Sequence, residues 1–122
     1  MANPTKISGK NGLKIEFGTI DNAVDVIMTT DSAAGGYAEP FSFNSAGMGS
    51  PNPDCEVDLD YLLQSFKKQG VSSVFLMVVG TNYIGGGSIN FEIEDGNGAS
   101  VAKVNTNLPT FTSKQWAYQV AL

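Results

Sequence analysis

Leu13, Ile15 and Phe17 alternate with Lys14 and Glu16 between Gly12 and Gly18. A period of two bracketed by glycines predicts a half-buried strand. Val24, Val26 and Met28 alternate in the same way with Asp25, Ile27 and Thr29, which predicts a second strand. The intervening Thr19-Ile20-Asp21-Asn22 reads as a hairpin loop. The pattern is then lost over residues 31–57, which hold three prolines and many small residues, with Tyr37, Phe41, Phe43 and Met48 scattered among them. That stretch reads as a long loop containing at most a short strand at Phe41 and Phe43, and long loops in compact domains usually carry function.

Leu59, Leu62, Leu63 and Phe66 recur at helical spacing and predict a helix over 58–69. Asp58 or Asp60 suits its positive end, Lys67 and Lys68 its negative end, and Gly70 its termination. The run 71–80 is continuously apolar and rich in Val, as in a strand buried on both faces beneath the helix. Ile89, Phe91 and Ile93 alternate with Asn90, Glu92 and Glu94, and Asp95-Gly96-Asn97-Gly98 is a tight-turn signal leading to a strand over 99–105. Trp116, Tyr118, Val120 and Leu122 alternate in a final strand. The fold predicted is mainly β: one domain over 1–122, an antiparallel β-sandwich or barrel with one helix packed on it, a short N-terminal arm (1–11) and the long loop 31–57.

Composition removes several chemistries. The chain of 122 residues has no His and one Cys, and all seven basic residues are Lys. It therefore lacks a Ser-His-Asp triad, a His-ligated metal site and an internal disulfide. A net charge of −5 without Arg argues against nucleic acid as a partner. Met1-Ala2-Asn3-Pro4 does not begin a signal peptide, and the longest apolar run, Val74 to Val79, is too short to span a bilayer. A soluble protein made in a cytoplasm, with no membrane partner, is expected. Cys55 reads as a spare thiol.

The remaining candidates each have a plainer explanation. Asp54, Glu56, Asp58 and Asp60 fall at every second position and would share one face of an extended segment, where oxygen ligands suit Ca²⁺. Helix capping accounts for two of them, so no metal and no cofactor is expected. Asp95 to Gly98 opens like a calcium loop, but Ala99, Ser100 and Thr106 stand where that loop needs a ligand, a glycine and a glutamate. Gly85, Gly86, Gly87 and Ser88 lack the Lys of a phosphate-binding loop. Glu92 and Glu94 share a strand face at a spacing glycosidase pairs use, and equally at the spacing of any solvated strand. Tyr83, between Asn82 and the glycines, is the best exposed platform for stacking a sugar, whereas Trp116 and Tyr118 fall in register with core positions.

An assembly role follows from what is left. Tyr37, Phe41, Phe43 and Met48 on the long loop, and Val120 and Leu122 on an apolar final strand, form the expected interface. A surface poor in charge and rich in Gly, Ser, Asn and Thr suits broad subunit contacts. An arm over 2–12, strands, a long loop, the helix at 58–69 and further strands resemble the organisation of small structural proteins of tailed-phage particles. That resemblance implies a non-enzymatic virion component: a protein that decorates or cements a capsid or, alternatively, a tail-tube subunit with acidic rows, such as Glu92 and Glu94, facing the lumen. The expected partners are copies of the chain, a major capsid protein or another virion protein. A carbohydrate-binding β-sandwich module using Tyr83 is the competing reading.

Overall fold

A computed structural model of the chain describes residues 4–30, 36–44 and 55–122. Nine strands and one helix occur in the order β1 (Thr5–Ser8), β2 (Leu13–Ile20), β3 (Ala23–Thr29), β4 (Tyr37–Asn44), β5 (Cys55–Asp58), α1 (Asp60–Lys68), β6 (Ser73–Asn82), β7 (Ser88–Asp95), β8 (Ser100–Asn107) and β9 (Thr112–Ala121). They form a five-stranded sheet, β1-β9-β6-β3-β4, and a four-stranded sheet, β5-β2-β7-β8. The two sheets enclose one core, with no closed barrel. All pairings are antiparallel except β1 with β9.

The core is built by alternation. Leu13, Ile15, Phe17, Ile89, Phe91 and Ile93 point in from the smaller sheet, and Val24, Val26, Met28, Val74, Leu76, Val78 and Val120 from the larger. Phe17 bridges the layers, its ring 5.1 Å from that of Phe41 and 5.8 Å from that of Phe91, and Phe91 meets Trp116 edge-on at 5.5 Å. Gly80 permits this packing, since a Cβ there would run into Ile89 and the Trp116 ring.

The link expected as a hairpin is an arch. β2 and β3 are joined by two residues yet lie in different sheets, each presenting an apolar face to the other across the core. Asn22 makes the turn at φ 84°.

The stretch expected as the loop 31–57 contains two strands. β4 pairs with β3 through a bulge at Val26/Met28, which hides its period, and β5 pairs with β2. Part of the expected arm is likewise β1, hydrogen-bonded along the end of β9.

The helix begins two residues later and ends one residue earlier than expected. Asp58 Oδ1 accepts the Asp60 N–H at its start. At its end the Gly70 N–H donates to Lys67 and the Val71 N–H to Phe66, a Schellman closure with Gly70 at φ 84°. It closes one end of the sandwich instead of lying on a sheet. Leu59 N–H donates to the Leu13 carbonyl, Leu63 lies near Gly9 and Val120, and Phe66 lies near Gly36 and Thr30. β6 is accordingly not buried on both faces. Val74, Leu76 and Val78 are fully buried, while Phe75, Met77 and Val79 are only partly buried on the opposite side.

Candidate functional site

The outward faces of the two sheets differ in chemistry. On the larger sheet, strand register places Phe75, Met77 and Val79 of the central strand β6 beside Thr29, Ile27 and Asp25 of β3, and beside Gln119, Ala117 and Gln115 of β9. The middle of this face is apolar and its surround is mostly uncharged. Lys6 on β1 and Glu39 on β4 stand at its margins, and Asp25 lies beside Val79, its carboxylate accepting a hydrogen bond from Ser42 Oγ at 2.6 Å. Tyr37, at the margin on β4, is 66% exposed.

The smaller sheet carries Lys14, Glu16, Glu56, Asp58, Glu92, Glu94 and Lys103 outward. Register sets Glu16 between Glu56 and Glu92, and Lys14 between Asp58 and Glu94. Lys14 Nζ lies 3.5 Å from Glu16 and from Glu56, and 4.0 Å from Glu94. Glu56 foremost raises the Lys14 pKa. Glu94 is raised above the ordinary carboxylate value, first by desolvation and then by a hydrogen bond with Glu16, against the opposing pull of Lys14.

Carboxylate oxygens of Glu16, Glu92 and Glu94 lie within 4.8 Å of one another, a spacing that one hard cation can span. Next to them is an open cleft of about 560 Å³, lined by Glu16, Glu56, Asn90, Glu92, Lys103 and Asn105 around the side-chain gap at Gly18. Asn90 Oδ1 is inaccessible there and has no hydrogen-bond partner among the described residues.

The expected interface residues are redistributed. Phe41 and Phe43 turn inward and pack against the core. Val120 is fully buried, and Leu122 packs at the core edge with its N–H donated to the Ser72 carbonyl. Phe41, Phe43 and Val120 are engaged by their own domain because the strands that carry them are paired and their apolar side faces the other sheet, and Leu122 follows β9 onto the core edge. Met48 and Asp54 lie outside the described residues. Glu56 pairs with Lys14, Asp58 accepts the Asp60 N–H from the position before the N-cap Leu59, and Asp60 Oδ1 accepts the Leu13 N–H at 2.7 Å, so these carboxylates work locally. Asp60 does not belong to the cluster formed by Glu16, Glu92 and Glu94. Cys55 is half-buried against the core.

Asp95 to Gly98 form the β7–β8 turn, with Asp95 Oδ1 accepting from Asn97 and Ala99. The glycine-rich loop after β6 is organised by two buried asparagines. Asn22 accepts the Tyr83 and Ile84 N–H groups and donates to Gly86, while Asn82 donates to the Gly85 and Leu108 carbonyls. Tyr83 stays 50% exposed and does not line the cleft.

Sequence reading missed the outward triplet Phe75, Met77 and Val79. Its signal was present: a run without polar alternation makes both faces of a strand apolar, whether or not something covers the second. Among the described residues, no helix is long and apolar enough to cross a membrane. The fold and these faces define a two-layer β-sandwich closed at one end by a helix. No family model, characterised protein or solved structure matches the chain.

Proposed function

We propose that this chain is a non-enzymatic structural subunit, a virion component of the capsid-decorating kind, that works by burying the outer face of its larger sheet against copies of itself. The observation carrying this reading is the contrast between the two outward faces. One sheet shows the solvent a charged surface, while the other offers Phe75, Met77, Val79, Ile27 and Ala117 as one patch on its central strands. Contiguous apolar patches of this kind mark contact surfaces, and depletion of charge at the centre is what distinguishes interface cores. A chain of net charge −5 meets a second copy most readily through the face that carries least of that charge.

A tail-tube role is the second reading, favoured by the row Glu56-Glu16-Glu92 across the smaller sheet, which would repel DNA from a lumen. The sugar-binding reading has less support, because its aromatic, Tyr83, and the cleft are in different places.

Sedimentation velocity over a wide concentration range tests the proposal. Concentration-dependent association is expected, closed oligomers supporting decoration and open polymers the tube. A strict monomer at the highest concentration would overturn assembly through self-contact.

A further inference from the structure

We propose that the larger sheet pairs face to face with the same sheet of a second copy about a two-fold axis running along β6. This rests on the assembly reading and specifies its partner and geometry. β6 is the third of five strands, with β9 and β1 on one side and β3 and β4 on the other. A two-fold contact must be self-complementary, so residues on the axis meet themselves and the two flanks exchange places. The outward residues satisfy both conditions.

On the axis stand Phe75, Met77 and Val79, three apolar side chains with no like charge to oppose. Exchanging the flanks lays β3 over the partner copy's β9, which sets Ile27 against Ala117, Thr29 against Gln119 and Asp25 against Gln115 at matching levels of the register. The same exchange lays β1 over β4. Lys6 is level with Gln119 and Phe75, and Tyr37 with Thr29 and Phe75, so Lys6 arrives over Tyr37. Glu39 is two residues further along β4, about 7 Å away, within the joint reach of the two side chains. Lys6 and Glu39 are both exposed, and neither has an ion-pair partner among the described residues. Opposite charges at opposite margins attract across such an axis.

Five strands span about 24 Å, and the levels from Phe75 to Val79 run about 16 Å along them, giving roughly 800 Å² buried in total. That is below the range of stable specific interfaces, so the pairing is weak, reversible and dependent on concentration.

The test uses the full chain with Cys55→Ser, which removes its native thiol, and Met77→Cys, which puts one on the axis. Folding of each variant is checked by circular dichroism. A short bis-maleimide is expected to convert most of the chain to covalent dimer, whereas Glu92→Cys on the other sheet in the same background yields little. If Met77→Cys fails to fold, Val79→Cys serves the same purpose. In the uncross-linked protein, Lys6→Glu and Glu39→Lys are each expected to weaken association about two- to fivefold, the size of an exposed pair, and the double exchange to restore it. Association by mass without cross-linking at 77 or 79 would overturn the two-fold pairing and leave assembly standing. Absence of any association would overturn both.

Discussion

Asn82 closes the inner end of β6, fully buried, with its amide shared between the Gly85 and Leu108 carbonyls at 2.9 and 2.8 Å. Removing that amide takes the side-chain donor from the buried Leu108 carbonyl and leaves Gly85 with the Thr110 hydroxyl at 3.4 Å, and a lost buried donor costs about 1–3 kcal/mol. Asn82→Ala is therefore expected to lower stability by about 1–3 kcal/mol, seen as a fall in the urea midpoint at unchanged slope. The neighbouring turn shows the opposite case. Phe111 sits at φ 63° and is 87% exposed, so it is held in a left-handed conformation without burying its ring. Its N–H is fixed on the Asn82 carbonyl, and that bond does not need a side chain. Phe111→Gly relieves the strain and is expected to stabilise by about 0.5–1 kcal/mol, raising Tm by a few degrees. A lowered Tm would show that the ring has a packing role.

Among the elements, β4 separates the expected from the observed organisation most sharply. Its bulge puts Ala38 and Phe41 inward three positions apart, so period two fails across Pro40 and the strand resembles a loop. β5 has one buried residue, Val57, and β1 has a single apolar residue, Ile7; neither is long enough to show a pattern. Both are edge strands recruited by longer neighbours. The arch at Asn22 was illegible for another reason: a tight turn between two alternating strands gives the same sequence signal whether the strands pair side by side or face each other. By contrast, α1, β7, β9 and the turn at Asp95 each carry their own period or turn chemistry and were readable.

Two expectations belong to this scale. Phe41→Ser removes a ring stacked on Phe17 and is expected to cost about 2–3 kcal/mol, measurable by thermal unfolding; unchanged stability would return Phe41 to the surface. On the smaller sheet, the raised Glu94 carboxyl makes ionisation harder in the folded chain than in the unfolded one. Its contribution to stability is therefore present at acid pH and declines as pH rises from the ordinary carboxylate value toward the folded one. Relative to Glu94→Gln, the natural chain is expected to lose stability as pH rises through that window. A difference that stays flat, or moves the other way, would mean that Lys14 dominates the site.

For the whole molecule, the sandwich and its core were legible because inward positions obey one rule, whereas the apolar outward side of β6 was not. The strongest apolar run was read as doubly buried because a helix was expected above it. In the structure that helix caps one end, where Leu63 and Phe66 seal the core between the sheets, and the outward side of β6 remains partly accessible. Of the residues expected at an interface, Val120 fills the core and Phe41, Phe43 and Leu122 pack against it, Tyr37 stays exposed, and the contact role is here proposed for Phe75, Met77 and Val79. The most direct measurement is the native mass of the chain and of Met77→Lys at matched concentrations. The long Lys stem lies along the face without entering the core, so the variant is expected to keep its fold. Oligomers in the natural chain and a monomer in Met77→Lys are expected. Equal masses for the two at every concentration would contradict the assignment of this face as the contact surface.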